Sequence, residues 1–432
     1  MGKVDYIGID LGTTNSVIAF GRIDSSGINA KIIPIPRKSK DGRLRRDGLL
    51  PSTTYFNPTS TSPTVGDYAK AMIYAEPERV AKSMKCYMDP GTQTIDNQGG
   101  VTWTPIKTAA AILKHLTGSA AHIYKNSEDF TENKLLITVP TCFSDDMRRA
   151  TIEAAESAGF CSLTNDNLVP ASHAILHHYY NQSPAGIDFR EEKKILVFDL
   201  GGGTLDVSLH YVYQKDKLTI RRSVVSDYTQ CGGDNFDRLV AKKLLHRYLC
   251  EHKFSPELSS HELDMLKFLF QEYASTAKEK LSKQIERDQL IGNYDTNPCY
   301  PIYEEPVYLK KHRSLPVFEY ELCWNEYECI ITEAFLAPTL ILESPCPPQR
   351  NNIIVPILEV LDKAKVKECS KRPKVDMVLL NGAMTKLLPI QKRLEKLFST
   401  KNPPATKVVD ERDGLNPEHA VALGAAVYWA KK

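Results

Sequence analysis

The chain has 432 residues, and its 55 Lys and Arg against 53 Asp and Glu leave a formal net charge of +2. Hydrophobic residues make up 42% and charged residues 25%, the mixture of an ordinary globular protein with two or three folding units. Such a charge balance excludes a broad basic nucleic-acid surface and an acidic solvating tail.

The chain begins Met1-Gly-Lys-Val-Asp-Tyr6 and runs straight into a strand pattern, Val4–Asp10. No apolar signal core precedes it, and no apolar run reaches the roughly 18 residues of a membrane span. Asn15 through Phe20 reads as a returning strand, so the two form a hairpin across Leu11-Gly12. Residues 34 to 51 are rich in Pro, Gly and Arg and are expected to be loop. Residues 108 to 125 have helical spacing, and Lys134–Val139 is an apolar strand stopped by Pro140. Ser144 is placed to cap a helix with Asp145 and Asp146 in its first turn and Gly159 at its end. A boundary is expected in the polar stretch 181 to 193. Lys194–Asp199 is a buried-type strand, followed by Gly201-Gly202-Gly203 and a second strand, Leu205–Tyr213. Helices are expected over 235–252 and 261–286, and edge strands and loops in the Tyr- and Pro-rich region 291–320. Val375–Leu380 reads as another buried strand, and Pro417–Ala430 as a closing Ala-rich helix. The alternation of strands and helices makes the class α/β.

Ten cysteines are spread along the chain without a C-x-x-C, the closest pair being Cys323 and Cys329. That spacing matches neither a zinc site nor a dense disulfide framework. A reducing compartment follows, and the chain is expected to be soluble and cytoplasmic, with no membrane or nucleic-acid partner.

One repeat stands out. Ile9-Asp10-Leu11-Gly12-Thr13-Thr14 is echoed by Phe198-Asp199-Leu200-Gly201-Gly202-Gly203-Thr204, each between two strand-like runs. A tight glycine turn exposes backbone N–H groups, which together with Thr hydroxyls form an anion-binding concavity. A carboxylate at the strand end can hold the water shell of Mg²⁺. Two such hairpins facing each other would clamp a triphosphate. A third glycine turn follows the apolar strand at Gly382. Neither hairpin is a Walker A or a G-x-G-x-x-G sequence.

These residues resemble the phosphate motifs of the heat-shock-70 (DnaK-type) chaperone ATPase domain. Ile137-Thr-Val-Pro140, Gly232-Gly-Asp-Asn-Phe-Asp237 and Asn416-Pro417 through Gly424-Ala-Ala-Val427 are similar to further segments in the same order. The resemblance implies an actin-like (ribonuclease H-like) fold of two lobes around a nucleotide cleft. Lobe I would cover residues 1–187, lobe II 188–412, and a closing helix 413–432 would pack back on lobe I. It implies that Asp10 holds Mg²⁺ through water, and that Gly12, Thr13, Thr14 and Asn15 bind phosphates of ATP or ADP. Asp199 would orient or deprotonate the attacking water and share the metal's water shell. Gly201, Gly202, Gly203 and Thr204 would form the second phosphate loop, with Asp206 bracing it. Gly232, Gly233 and Asp234 would lie near the ribose, and Lys278 and Ser282 near the adenosine. Lys85, eight residues after Pro77, matches the family's catalytic lysine, with Lys82 as a rival. Gly382, Ala383 and Lys386 match the third loop. Pro140, Arg148 and Glu418 match supporting positions.

The pattern also breaks. Val169 stands where the family carries a carboxylate before Pro170, which predicts slow turnover. Ser275, Glu279, Ala383, Met384, Lys386 and Glu418 depart from the family on the adenosine side. Chaperones of the family continue into a peptide-binding domain, whereas this chain stops at Trp429-Ala-Lys-Lys432, so a protein lacking its own client-binding domain is expected. The first reading is a slow Mg²⁺-dependent ATPase. The alternatives are a non-hydrolysing nucleotide-bound regulator and, less favoured, a sugar kinase. J-domain co-chaperones and nucleotide-exchange factors remain as partners. His173 and His177 are read as packing or surface residues rather than metal ligands, and the basic run Arg37–Arg46 as a solvated loop.

Overall fold

In the computed structural model of the protein, the described residues are 6–24, 27–38, 44–45, 47–57, 59–60, 62–82, 84–88, 95–97, 101–124, 135–160, 162–182, 188–215, 217–227, 229–254, 257–294, 296–304, 308–309, 313–314, 316–336, 352–368, 374–398 and 406–428. They fall into two compact units. One comprises Met1–Gln230, Pro356–Thr385 and Phe398–Lys432, the other Cys231–Val355 and Lys386–Leu397.

The first unit is built on two sheets of the same plan. In the first, β1 (Tyr6–Asp10), β2 (Asn15–Asp24) and β3 (Gly27–Ile32) form an antiparallel meander. On the other side of β1, β4 (Leu135–Val139) and β5 (Leu168–Pro170) run parallel to it, giving the order β5-β4-β1-β2-β3. Leu50–Pro51 adds a short strand to β2. The second sheet contains β6 (Lys193–Leu200), β7 (Leu205–Gln214), β8 (Leu218–Val225), β11 (Met377–Asn381) and β12 (Lys407–Val409). Its order is β8-β7-β6-β11-β12, again a meander followed by two parallel strands. The Asp-Leu-Gly repeat thus marks equivalent hairpins, β1–β2 and β6–β7. The sequence alone did not reveal β3, β8 or β12, because short or half-polar strands carry a weak period-2 signal.

Burial follows from this plan. Residues Ile7, Ile9, Ile137 and Val139 pack under α1 (Pro105–Tyr124) and α2 (Asp145–Ser157), against Leu113, Leu116, Met147 and Ala154. Leu136 and Val169 face the other way, toward Ala174 of α3 (Ala171–Gln182) and Ala425 of α9 (Ala420–Tyr428). With both faces covered, a parallel strand reads as an unbroken apolar run, as Leu135–Val139 does. Ile175, Leu176 and Tyr179 of α3 pack on Ile195, Val197 and Leu379 of the second sheet. Helices α3 and α9 approach backbone to backbone: a Cβ on Gly424 would stand 1.9 Å from the Ala174 carbonyl oxygen. The cap expected for α2 is present, with the Met147 N–H donating to Ser144 Oγ, and Gly159 ends the turn at φ +112°.

The second unit holds α4 (Gly233–Glu251), α5 (Ser260–Leu290), α6 (Trp324–Phe335) and most of α8 (Leu388–Phe398); α7 (Val355–Glu368) belongs largely to the first unit. Its core includes Phe236 stacked on Phe335 at 4.0 Å and Tyr248, Phe270 and Phe318 in mutual contact. The Tyr- and Pro-rich region contributes the two-stranded sheet of β9 (Cys299–Glu304) and β10 (Phe318–Cys323). Antiparallel register puts Cys299 opposite Cys323, and the two form a disulfide. The cysteine spacing had pointed to no such pair.

One local expectation changes. Arg37 is buried rather than solvated, held by Asp47 and Asp67; Gly42, Arg43 and Arg46 lie outside the described residues. No helix among the described residues is long and apolar enough to cross a membrane.

His173 and His177 lie on α3 as packing residues. The ring of His173 meets that of His210 edge-on at 5.2 Å, and His210 lies 2.8 and 2.9 Å from the hydroxyls of Ser223 and Ser208. Burial, reinforced by Arg148, holds His173 down at about 4. Burial and then His173 hold His210 well below its usual range. Such histidines bind fewer protons folded than unfolded, so their contribution to stability is complete above about pH 6.5 and is lost as pH falls below it. As pH falls below 6.5, wild type is expected to lose stability relative to a His210→Asn variant, with a slope that approaches at most about 1.4 kcal/mol per pH unit. Urea unfolding at pH 7, 6 and 5 measures this, and parallel pH curves for the two proteins would contradict it.

Candidate functional site

The strand ends assemble one site, all of it within the first unit. A cavity of about 110 Å³ opens where β1, β4, β5, β6 and β11 reach their C-terminal ends, the edge at which open α/β sheets present their loops to ligands. From the first hairpin come Asp10, Gly12, Thr13, Thr14 and Asn15. The second hairpin contributes Asp199, Gly201, Gly202, Thr204 and Asp206. Lys85, on the short helix Met84–Tyr87, lines the cavity, as do Pro140, Gly382, Ala383 and Glu418.

The two hairpins touch. A Cβ built on Gly202 would lie 1.7 Å from Thr14 Oγ1, and one on Gly203 would lie 2.6 Å from Thr13 Cγ2 and 2.4 Å from Cys86 Sγ. Gly203 therefore does not line the cavity; it fills the contact behind it. The turn of the second loop is closed by the Gly201 N–H donating to the Thr204 carbonyl at 3.0 Å. Gly382, at φ +83°, sits against the Leu200 carbonyl, where a Cβ would come within 2.2 Å. Only glycine combines that backbone with that approach.

Each sheet supports its aspartate in the same way. In the first, Thr138 is the register partner of Asp10 and donates to its Oδ1 at 2.9 Å. In the second, Asn381 is the register partner of Asp199 and donates to its Oδ1 at 2.9 Å. Asp206, opposite Asp199 across the hairpin, accepts from the Thr141 N–H, while its other oxygen is buried without a partner. Val169 is the register partner of Thr138, in the row that contains Asp10, yet it is 1% exposed and packed on Leu136, Ala174 and Ala425.

The lining is acidic. Asp10, Asp199, Asp206 and Glu418 oppose the one lysine, Lys85. Burial pushes Asp199 up to about 7, with Asp206 and Asp10 adding to the rise and Asn381 and Lys85 opposing it. Asp206 is also raised by burial, against its bonds from Thr141. A bare polyanion would be repelled here, whereas one carrying a divalent cation would be neutralised. No group of three His, Cys, Asp or Glu side chains among the described residues converges tightly enough to hold a metal directly. The arrangement suits a hard cation that keeps its waters and leans on phosphate oxygens.

The remaining predicted residues lie elsewhere. Arg148 is on α2, where it acts electrostatically on His173. Gly232, Gly233, Asp234, Lys278, Ser282 and Lys386 belong to the second unit. There Gly232 caps α4, and Lys278 forms a nearly buried ion pair with Asp237 at 2.8 Å. Sequence reading missed Thr138, Asn381, Thr141, Leu49, Ala171 and Pro417. Position at a strand's C-terminal end was the signal for Thr138, Asn381 and Ala171; for Leu49 there was none.

The sequence model of the family described as Hsp70 protein matches residues 66–293. Over 427 residues the chain is 30% identical to "Chaperone protein DnaK" of Thermosipho africanus, covering 98% of this chain and 59% of the relative. Against the protein of the same description from Thermotoga maritima it is 29% identical over 425 residues, with the same coverage. The chain thus spans about three fifths of the length of these curated relatives. The matched span is more than half of the chain and contains the second glycine loop, and it places the chain in the Hsp70 family, whose fold is the actin-like ATPase fold.

Proposed function

We propose that the protein binds Mg²⁺-ATP between its two Asp-Leu-Gly hairpins and hydrolyses it slowly to ADP and phosphate. The observation that carries this reading is the direct contact of Gly202 and Gly203 with Thr14 and Thr13 at one acidic cavity. Backbone N–H groups of Gly12–Asn15 and of Gly202 and Thr204 hold the phosphates from two sides, in a second loop closed by Gly201 and seated by Gly203. Bound Mg²⁺ supplies charge neutralisation on the phosphates. Asp10, fixed by Thr138, orients a water of that ion. Lys85 places its ammonium on the terminal phosphate. Asp199 has Oδ1 occupied by Asn381, so its other oxygen takes the proton of the water that attacks the phosphorus, while the bond to the leaving ADP oxygen breaks. Asp206 braces the loop through Thr141, and Pro140, Arg148 and Glu418 support it.

Family membership supports nucleoside contacts by Gly232, Gly233, Asp234, Lys278, Ser282, Gly382, Ala383 and Lys386. It also supports the division into lobes 1–187 and 188–412 with a closing segment 413–432, a cytoplasmic setting, and J-domain co-chaperones and exchange factors as partners. A chaperone role belongs to the same proposal.

Val169 favours a second reading. In the row of Asp10 the fold offers an apolar contact where a carboxylate would reach the metal's waters, and outer-shell losses of this kind cost about 10- to 100-fold. The alternative is a nucleotide-loaded regulator with negligible turnover. Titration calorimetry with ATP, ADP and GTP, with and without Mg²⁺, followed by phosphate release, separates the readings. Mg²⁺-dependent ATP binding with slow release is expected. Binding without release selects the regulator, and absence of binding to any nucleotide overturns both.

A further inference from the structure

The side chain of Arg37 is only 6% exposed, and its guanidinium forks onto two carboxylates. Nη1 donates to Asp67 Oδ2 at 2.8 Å, and Nη2 donates to Asp47 Oδ1. These aspartates stand at the two ends of one stretch of chain, 47–67. A planar fork has fixed donor directions, so two carboxylates bound to it are held at a set separation and orientation. A single buried cation thereby pins both ends of the stretch.

That stretch borders the phosphate side of the candidate site. The Leu49 N–H donates to Asp47 Oδ1 at 3.1 Å, the same oxygen that accepts from Arg37, and Leu49 lines the cavity with Thr14, Asn15 and Lys85. Leu50 and Pro51 pair with Ser16 and Asn15 of β2. The Ser52 N–H donates to the Thr14 carbonyl at 2.8 Å, and the hydroxyls of Ser52 and Ser16 lie 2.8 Å apart. Thr53–Tyr55 then forms the centre of a small sheet, with Val80–Lys82 on one side and Thr64–Val65 on the other. Lys85 follows Lys82 by three residues, on the short helix Met84–Tyr87. The first phosphate loop and the segment that carries Lys85 are therefore both hydrogen-bonded to a stretch that Arg37 holds at each end. Arg37 itself does not line the cavity.

Resting on the Mg²⁺-ATP reading above, we propose that Arg37 is a positioning residue of this site: acting through Asp47 and Asp67, it sets Leu49 and Lys85 for the terminal phosphate. Displacing a binding group by about an ångström is enough to lose most of its effect. An arginine that only stiffened the fold would, when removed, weaken ATP and ADP alike. One that positions Lys85 is felt at the phosphate that ATP has and ADP lacks.

The test is calorimetric titration of the full chain with Mg²⁺-ATP and with Mg²⁺-ADP. Arg37→Met is expected to lower ATP affinity about tenfold or more and ADP affinity less than about threefold. Arg37→Lys keeps the charge without the fork and is expected to fall between wild type and Arg37→Met. Asp47→Ala removes the acceptor shared by Arg37 and the Leu49 N–H. Its side chain is 49% exposed, so this variant tests the same ATP-to-ADP ratio even if Arg37→Met fails to fold, and it should shift that ratio in the same direction. Hydrogen exchange without nucleotide must quicken at the amides of Leu49 and Ser52 in these variants and stay unchanged across β6 and β7. Equal losses for ATP and ADP, or unchanged exchange at Leu49 and Ser52, would overturn the proposal while wild-type binding stands. A wild-type protein that binds no Mg²⁺-ATP would overturn the reading beneath it, and the proposal with it.

Discussion

Gly203→Ala is expected to lower the affinity for Mg²⁺-ATP about a hundredfold, the scale set by displacing a binding group by about an ångström. The added methyl would stand 2.4 Å from Cys86 Sγ and 2.6 Å from Thr13 Cγ2. Both neighbours are buried, so neither can swing into solvent. The strain falls on the two hairpins, which must part, and the phosphates then reach one loop or the other but not both. Overpacking of this kind also costs about 1–3 kcal/mol in stability. Gly118→Ala is the control: it lies in α1 with nothing within 4 Å of the added carbon, and it should leave binding unchanged while stabilising slightly. Calorimetric titration and thermal melting of the two variants measure both effects. Wild-type affinity in Gly203→Ala would mean that the loops do not grip one ligand.

Asp199→Asn should separate binding from chemistry. The amide keeps an oxygen to accept the Asn381 bond, so the loop geometry survives, but it cannot take a proton from water. Phosphate release is expected to fall about 10²- to 10⁴-fold while Mg²⁺-ATP affinity changes less than about tenfold. The same variant should melt at a higher temperature when free of nucleotide and metal. Burial raises the folded-state value of Asp199 to about 7, so at pH 8 the charged carboxylate is disfavoured by the fold, and that penalty vanishes with the neutral amide. Higher stability together with lost turnover is the signature of a residue strained for function. Undiminished phosphate release would remove Asp199 from the reaction; an unchanged melting temperature would show that the carboxylate is not strained.

Much of the site was legible in the residue order because its chemistry is local. A glycine turn after a β-branched strand is written within six or seven residues, and its repetition at Asp10 and Asp199 announced two equivalent hairpins. Helix α2 was equally plain, since Ser144, Asp145, Asp146 and Gly159 act on the backbone within one turn of themselves. Other features are not local. Thr138 and Asn381 become partners of the aspartates only through parallel register between strands separated by a hundred residues or more. The Cys299–Cys323 disulfide depends on antiparallel register in the same manner. The meeting of Asp47 and Asp67 at Arg37 depends on the strand pairing of the stretch between them.

The sequence by itself determined the α/β class and the two phosphate-type hairpins, because turn chemistry and strand patterning operate over a few residues; that Val169 replaces a carboxylate is what the family resemblance implies. Only the tertiary structure decided that the hairpins meet, that four carboxylates share their cavity with Lys85, and that Lys278 is engaged by Asp237. Contacts between distant segments follow from sheet order and helix packing, in which each side chain's neighbours are chosen by the whole fold rather than by the residues beside it.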